Sequence, residues 1–319
     1  MGDNAPLIIA SALFAVITGM NDGASLIGTN LSSKAMRPLV ALAILVATVM
    51  IGPFLLGTAV ATTLARGLVG FDASGGAEAL LLAVTTAIGV MIVLARLGLP
   101  SSVTQALTGA IIGIGIGRDL PVDAGLVGRV LLVFILAPVA AGGLGLVFAV
   151  LLERRQPRAD LRGYLRRLHA ASFLCQCVAY AGNDGQKMIA IFAVAYGTVS
   201  TTVQLVAPIQ VAIGILFFGG TLLGVSGLGA RVGKLLPIRP MNAISAGFGS
   251  SVAVLGSALI GLPVSMAQSS ASALVGSEIH LVTYRRVRWE QAVRILSTWV
   301  TTLPTALGLA AVVGFVTRS

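Results

Sequence analysis

Apolar residues run almost unbroken through this chain. Long apolar stretches fall near residues 5–33, 38–65, 76–95, 98–117 and 124–152, and again near 168–195, 201–228, 240–260, 262–278 and 290–316. They are continuous rather than alternating with a period of two, as a lipid-facing β-barrel would require. A helix needs about 20 mainly apolar residues to cross a bilayer. The pattern therefore predicts an all-α polytopic membrane protein with about ten transmembrane segments. Two short segments, 98–117 and 262–278, are open to two readings, as full crossings or as re-entrant hairpins.

The one long polar stretch is Glu153–His169, ERRQPRADLRGYLRRLH, with six arginines. Cytoplasmic loops are enriched in Lys and Arg, so this stretch is predicted to face the cytoplasm. It divides the chain into a membrane repeat at 1–152, a linker at 153–169 and a second membrane repeat at 170–319. If every segment crosses, the linker side also receives Lys34, Arg37, Arg96, Arg231, Lys234, Arg239, Arg285, Arg286, Arg288 and Arg294. Only Arg66, Arg118, Arg129 and Arg318 fall opposite, and both termini face outward, from a plasma membrane.

Composition agrees. Charged residues are 10% of the chain, against 56% hydrophobic and a mean hydropathy of +0.98, whereas soluble domains carry about 25% charged residues. The net charge of +10 is then a matter of orientation, and nucleic acid is not an expected partner. Cys175 and Cys177, two apart in an apolar segment, suit neither a disulfide nor a zinc site. The N-terminus lacks a basic n-region and reads as a retained first membrane segment. Gly113–Gly117, GIGIG, has no surrounding βαβ unit and reads as close helix packing rather than a dinucleotide fingerprint. His169 and His280 fall near membrane edges without partners that suggest a metal site.

The chain repeats itself. GMNDGASLIGTN in the first segment answers GNDGQKMIAIF in the sixth, and GLPSSVTQALTGAIIG in the fourth answers GLPVSMAQSSASALVG in the ninth. Asn21 precedes Ser102 by 81 residues and Asn183 precedes Ser265 by 82. Five segments per half is an odd number, so the halves lie inverted in the membrane. Inverted repeats are the architecture of secondary transporters, which bind substrate near the midplane where helices break.

Asp22 and Asp184 are the acidic residues deep within predicted spans, at matching positions. A charge at the bilayer centre costs roughly 2.5–3.5 kcal/mol on insertion scales, so each should have a function. Glycine after each Asn-Asp pair lets the helix unwind and frees backbone carbonyls. Asn21, Asp22, Asn183 and Asp184 are thus candidates to hold a coupling cation, sodium or, on the carboxylates, a proton. The Gly-Leu-Pro segments should begin helices, whose unpaired N–H groups hold anions. The hydroxyls of Ser101, Ser102, Thr104 and Ser265 would add donors there, or merely cap the helices. Lys187 either adds positive charge for the anion or neutralises Asp184 one turn away.

GMNDGASLIGT, GNDGQK and the twin Gly-Leu-Pro-x-Ser segments resemble the inorganic phosphate transporter (PiT) family, over roughly residues 15–115 and 175–280. That family's repeats carry Gly-Ala-Asn-Asp and Pro-Val-Ser-Thr-Thr-His patterns. The resemblance implies ion-coupled phosphate symport, and site residues Asn21, Asp22, Ser102, Thr104, Asn183, Asp184 and Ser265, with Gln186 and Lys187 beside them. The second pattern departs here, to Ser102-Val103-Thr104-Gln105 and Ser265-Met266-Ala267-Gln268.

The family includes sulfate permeases, so sulfate or another tetrahedral oxyanion is the alternative substrate. Phosphate carries a proton at neutral pH and sulfate does not, so an acceptor such as Asp22 facing the anion favours phosphate. A membrane enzyme would need a nucleophile–base pair, and no His or Cys adjoins a candidate serine. No cofactor is expected. The expected partners are the anion, sodium or protons, the bilayer and, in a homo-oligomer, other copies of the chain.

Overall fold

The computed structural model describes residues 4–33, 36–71, 75–99, 101–155, 160–232, 239–280 and 289–318. Lys34, Arg158, Lys234, Arg285, Arg286 and Arg288, assigned above to the linker side, lie outside the described residues, as do the side chains of Arg231 and Arg294.

Helices build both halves. In the first, α1 (Ala5–Thr18) passes through a π-helical turn, Gly19–Gly23, into α2 (Ala24–Ser33). Next, α3 (Pro38–Leu56) starts on a proline, whose fixed φ suits a first helical turn, and stops at Gly57. Gly57 has φ 80°, a conformation that costs glycine little. A short α4 (Ala59–Thr62) and a π-helical turn, Thr63–Gly67, follow. The half ends with α5 (Gly76–Arg96), α6 (Val103–Gly117) and α7 (Ala124–Arg154). The second half holds α8 (Leu161–Gly182), α9 (Gln186–Ala195), α10 (Ala207–Val232), α11 (Pro240–Leu259), α12 (Met266–Glu278) and α13 (Trp289–Val316).

Among the described residues, six helices are long and apolar enough to cross a membrane: Ala5–Gly28, Pro38–Leu56, Gly76–Arg96, Ala124–Arg154, Ala207–Ser226 and Pro240–Leu259. Three of the other predicted segments, the fourth, sixth and ninth, depart from simple crossings for local reasons. Helices α6 and α12 have 15 and 13 residues. At 1.5 Å per residue they are roughly 22 and 20 Å long, short of a hydrocarbon core about 30 Å thick. The sixth segment is broken at Asn183–Gly185 between α8 and α9. The tenth is covered by α13, a helix of 28 residues, within which Val300–Val316 is apolar. The polar stretch 153–169 is itself largely helical: α7 runs to Arg154, and α8 begins at Leu161 with the Asp160 carboxylate accepting from Gly163 N–H at 3.0 Å.

Matching elements pack in matching ways. Helix α6 lies against α5 and against α13 of the other half, while α12 lies against α11 and against α7. Likewise α1 packs on α10, and α8 on α3. Small residues permit the close approach. A Cβ at Gly109, Gly113 or Gly117 would collide with the carbonyl oxygens of Leu303, Leu307 or Ala311 on α13. A Cβ at Gly276 of α12 would collide with the Gly142 carbonyl of α7. The GIGIG run is therefore a packing seam. Cys175 is exposed and Cys177 buried, and both are free.

Candidate functional site

The two Asn-Asp-Gly motifs take different forms. At Asn21-Asp22-Gly23 the helix widens into the π-helical turn without stopping. At Asn183-Asp184-Gly185 it stops: Asn183 has φ −123° and ψ −77°, and Gly185 N–H reaches back to the Tyr180 carbonyl at 2.8 Å. The predicted unwinding therefore holds for the second motif, while the first bulges.

Asn183 ties this break to the extended stretch before α12. Its Oδ1 accepts from Val264 N–H at 3.0 Å, and its Nδ2 donates to the Leu262 carbonyl at 3.2 Å. Asp184 is thereby set at the start of α12, where its Oδ2 accepts from Met266 N–H at 3.1 Å. An anion is stabilised at a helix N-terminus, and here the anion is the protein's own carboxylate.

Lys187 and Thr104 complete the cluster. The Lys187 ammonium donates to Asp184 Oδ1 at 2.6 Å and to Thr104 Oγ1 at 2.7 Å, and lies 3.7 Å from Asp22 Oδ2. Thr104, in the first turn of α6, offers its hydroxyl proton to Asp184 Oδ1 at 3.0 Å, with the Val264 carbonyl at 3.3 Å. Lys187 is 0% exposed, Asp184 and Thr104 1% and Asp22 9%, so the groups are dry apart from one edge of Asp22. Burial on this scale is tolerable because each charge is paired and hydrogen-bonded.

Asp22 is held more loosely. Its Oδ1 accepts from Asn21 Nδ2 at 2.8 Å, and its Oδ2 is 3.5 Å from the Tyr180 hydroxyl. Tyr180 is 0% exposed, its ring 5.7 Å from that of Phe217. Asp22 also borders a cavity of about 190 Å³ lined by α2, α8, α11 and α12. Its polar wall includes Ser25, His169, Gln176, Tyr180 and Ser270. The Ser270 hydroxyl is buried with no hydrogen-bond partner among the described residues.

Asp22, Thr104, Asp184 and Lys187 thus meet in one cluster. Ser102 and Ser265 stand at its margin as N-caps of α6 and α12, accepting from Gln105 N–H at 3.2 Å and Gln268 N–H at 3.4 Å. A serine that accepts through its oxygen still has its own proton to donate. Gln186 points away from the cluster. Its amide accepts from Ala61 N–H at 2.9 Å and donates to the carbonyls of Gly57 at 3.0 Å and Gly182 at 2.7 Å. The expected oxygen cage differs too. The Asn183 amide is occupied by the backbone before α12, and an ammonium stands between the carboxylates. Tyr180, Gln176, Ser25 and Ser270 were not anticipated. Tyr180 lies in the last turn of α8, four residues before Asp184, and Ser25 three after Asp22, so nearness to the two motifs could have flagged both.

A many-helix membrane fold with a buried ionic cluster at interrupted helices, beside a polar cavity, defines a membrane transport protein. The profile of the Phosphate transporter family matches residues 18–162 and again residues 153–310, and the chain belongs to that family. It is 28% identical to a probable low-affinity inorganic phosphate transporter of Bacillus subtilis (strain 168), over 97% of this chain and 96% of that one. A protein of the same description from Mycobacterium tuberculosis (strain ATCC 25618 / H37Rv) is 31% identical, over 94% of this chain and 74% of that one. The fold matches a solved structure described as "The sodium-dependent phosphate transporter", with TM-score 0.85, 17% identity and 99% of both chains covered. These relatives are transporters and not enzymes.

Proposed function

We propose that this chain is a secondary active symporter. It would carry inorganic phosphate with sodium or protons by alternating access between two inverted five-segment repeats. The observation that carries the reading is the cluster itself. Asp22 from the first half meets Asp184 and Lys187 from the second, against the starts of α6 and α12. Relative motion of the halves necessarily changes that cluster, which couples ion and anion occupancy to conformation. The matched packing of α6 on α13 and α12 on α7 supports the repeat architecture, and the sodium-dependent neighbour of similar fold supports ion coupling.

The anion would bind where the cavity meets Asp22, with Ser102, Thr104, Ser265 and Lys187 as its proposed donors. Asn21, Asp22, Asn183 and Asp184 would serve the coupling ion. Asp22 on the cavity wall supports phosphate over sulfate, since a carboxylate accepts the proton that phosphate retains.

The conformation fits one open side. The cavity follows one face of α8 from Tyr180 toward His169, the end nearest the arginine-rich stretch. Past Gln186 the structure is tied shut: Thr58 Oγ1 donates to the Val203 carbonyl at 2.9 Å, and Arg66 donates to the Ser200 carbonyl at 2.5 Å. With 153–169 in the cytoplasm and both termini outside, as proposed, such a conformation would face inward across the plasma membrane.

The test is uptake of labelled phosphate and of labelled sulfate into proteoliposomes, with sodium and proton gradients imposed separately. Saturable, gradient-driven phosphate uptake is expected. Uptake of sulfate alone would give the alternative substrate, and flux indifferent to every gradient would exclude symport.

A further inference from the structure

Lys187 has no counterpart in the first half, where the matching position three residues after the Asp is Ser25. Its ammonium nevertheless stands where a small cation shared by the two motifs would stand. It has three N–H donors and three oxygens around it: Asp184 Oδ1 at 2.6 Å, Thr104 Oγ1 at 2.7 Å and Asp22 Oδ2 at 3.7 Å. Two carboxylates and a hydroxyl are hard oxygen donors of the kind that also suit small metal cations. The Lys187 side chain is fully buried and is delivered from the first turn of α9, three residues after Asp184 on the same chain.

We infer that Lys187 is a tethered cation that occupies the position between Asp22 and Asp184 and excludes sodium from it, making this residue a determinant of coupling-ion specificity. This rests on the reading of the two Asn-Asp motifs as the coupling-ion site. A tethered ammonium re-forms its pairs without the translational and rotational cost that a free ion pays on binding. Sodium could enter only by expelling a buried ammonium from all its partners. With Lys187 in place, the two carboxylates are already bridged, so any sodium the protein binds must sit elsewhere.

The experiment counts bound ²²Na⁺ on the purified, detergent-solubilised full chain. Lys187→Ser restores the residue of the first half and opens the space between the carboxylates. Lys187→Met removes the charge while keeping the space filled. Lys187→Ser is expected to bind one more sodium ion per chain than wild type, and Lys187→Met no more than wild type. Equal sodium binding by Lys187→Ser and wild type would overturn the inference. Should Lys187→Ser fail to fold, wild type and Asp184→Asn decide. Equal sodium binding by these two is expected, whereas loss of one sodium in Asp184→Asn would mean that sodium shares the site with Lys187, contrary to the inference. Because these counts need no phosphate flux, they stand apart from the transport assay. Failure of wild type to move phosphate in any cation would undo the proposed function without altering them.

Discussion

Replacing Asp184 by Asn keeps the shape of the side chain but removes its charge and one of its acceptor oxygens. Three donors converge there: Met266 N–H on Oδ2, with the Lys187 ammonium and the Thr104 hydroxyl on Oδ1. An amide can satisfy one of these two faces only, and its NH₂ must then oppose a donor on the other. Lys187 would also lose its nearest counter-charge, leaving Asp22 at 3.7 Å. Breaking a buried ion pair from one side costs about 3–5 kcal/mol. Asp22→Asn is a milder change. Its contacts to Tyr180 and Lys187 are long, at 3.5 and 3.7 Å, and an amide oxygen can still accept from Asn21. A loss nearer 0.5–1.5 kcal/mol, typical of about one hydrogen bond, is expected there. The variants should therefore differ by at least about 1.5 kcal/mol, which for a large domain is about 3–6 °C in Tm. Thermal scans of the purified proteins in one detergent read this directly. Equal melting temperatures would refute the assignment of Asp184 as the structural hub and of Asp22 as the more loosely held group.

Ser102→Ala and Ser265→Ala should each remove a cap worth about 1 kcal/mol. Each should also weaken apparent phosphate affinity about tenfold, the value of one hydrogen bond to a charged group, with Ser102 the larger because its repeat keeps Thr104; uptake kinetics beside thermal scans separate the two effects. Gln186→Ala should reduce maximal uptake more than affinity, because it cuts the ties to Ala61 and Gly57 on the closed side; an unchanged rate would show that this latch has no part in gating. Gly276→Leu should unfold the protein or abolish its insertion, since even a Cβ there meets the Gly142 carbonyl; a normal Tm would contradict the packing of α12 on α7.

Much of the site could be read from the sequence because its signals are local. A charged residue in an apolar run, a glycine after it and a proline before a hydroxyl are each visible within a few positions. Recurrence at 81 and 82 residues placed Asp22 beside Asp184 and Ser102 beside Ser265 as equivalents. What escaped depends on three-dimensional approach between the halves. Nothing in the order of residues says that Lys187 reaches Thr104, 83 positions away, or that Tyr180 reaches Asp22. Nor does it say that the start of α12 is filled by Asp184 rather than left for an incoming anion. Hydropathy also overstated the simplicity of the segments. It cannot see that Gly57 ends α3 inside one apolar run, or that Asn183–Gly185 parts α8 from α9 inside another. The glycine run in α6 was legible as packing but its partner was not, because α13 lies far along the chain. His280, which had no evident partner in sequence, has its Nε2 2.7 Å from Glu153 Oε2.

On the proposed function, ion and anion are coupled at the cluster joining the two halves. Asp22 tests this best, since it borders both the cluster and the cavity and is held more loosely than Asp184. The decisive measurement is gradient-driven uptake of labelled phosphate into proteoliposomes by wild type and by Asp22→Asn at equal reconstituted amounts, with Tm recorded for both. Saturable uptake by wild type is expected, with at least a hundredfold loss in a variant that still melts cooperatively, roughly the 2.7 kcal/mol that separates a hundredfold difference. Uptake by folded Asp22→Asn equal to that of wild type would contradict it.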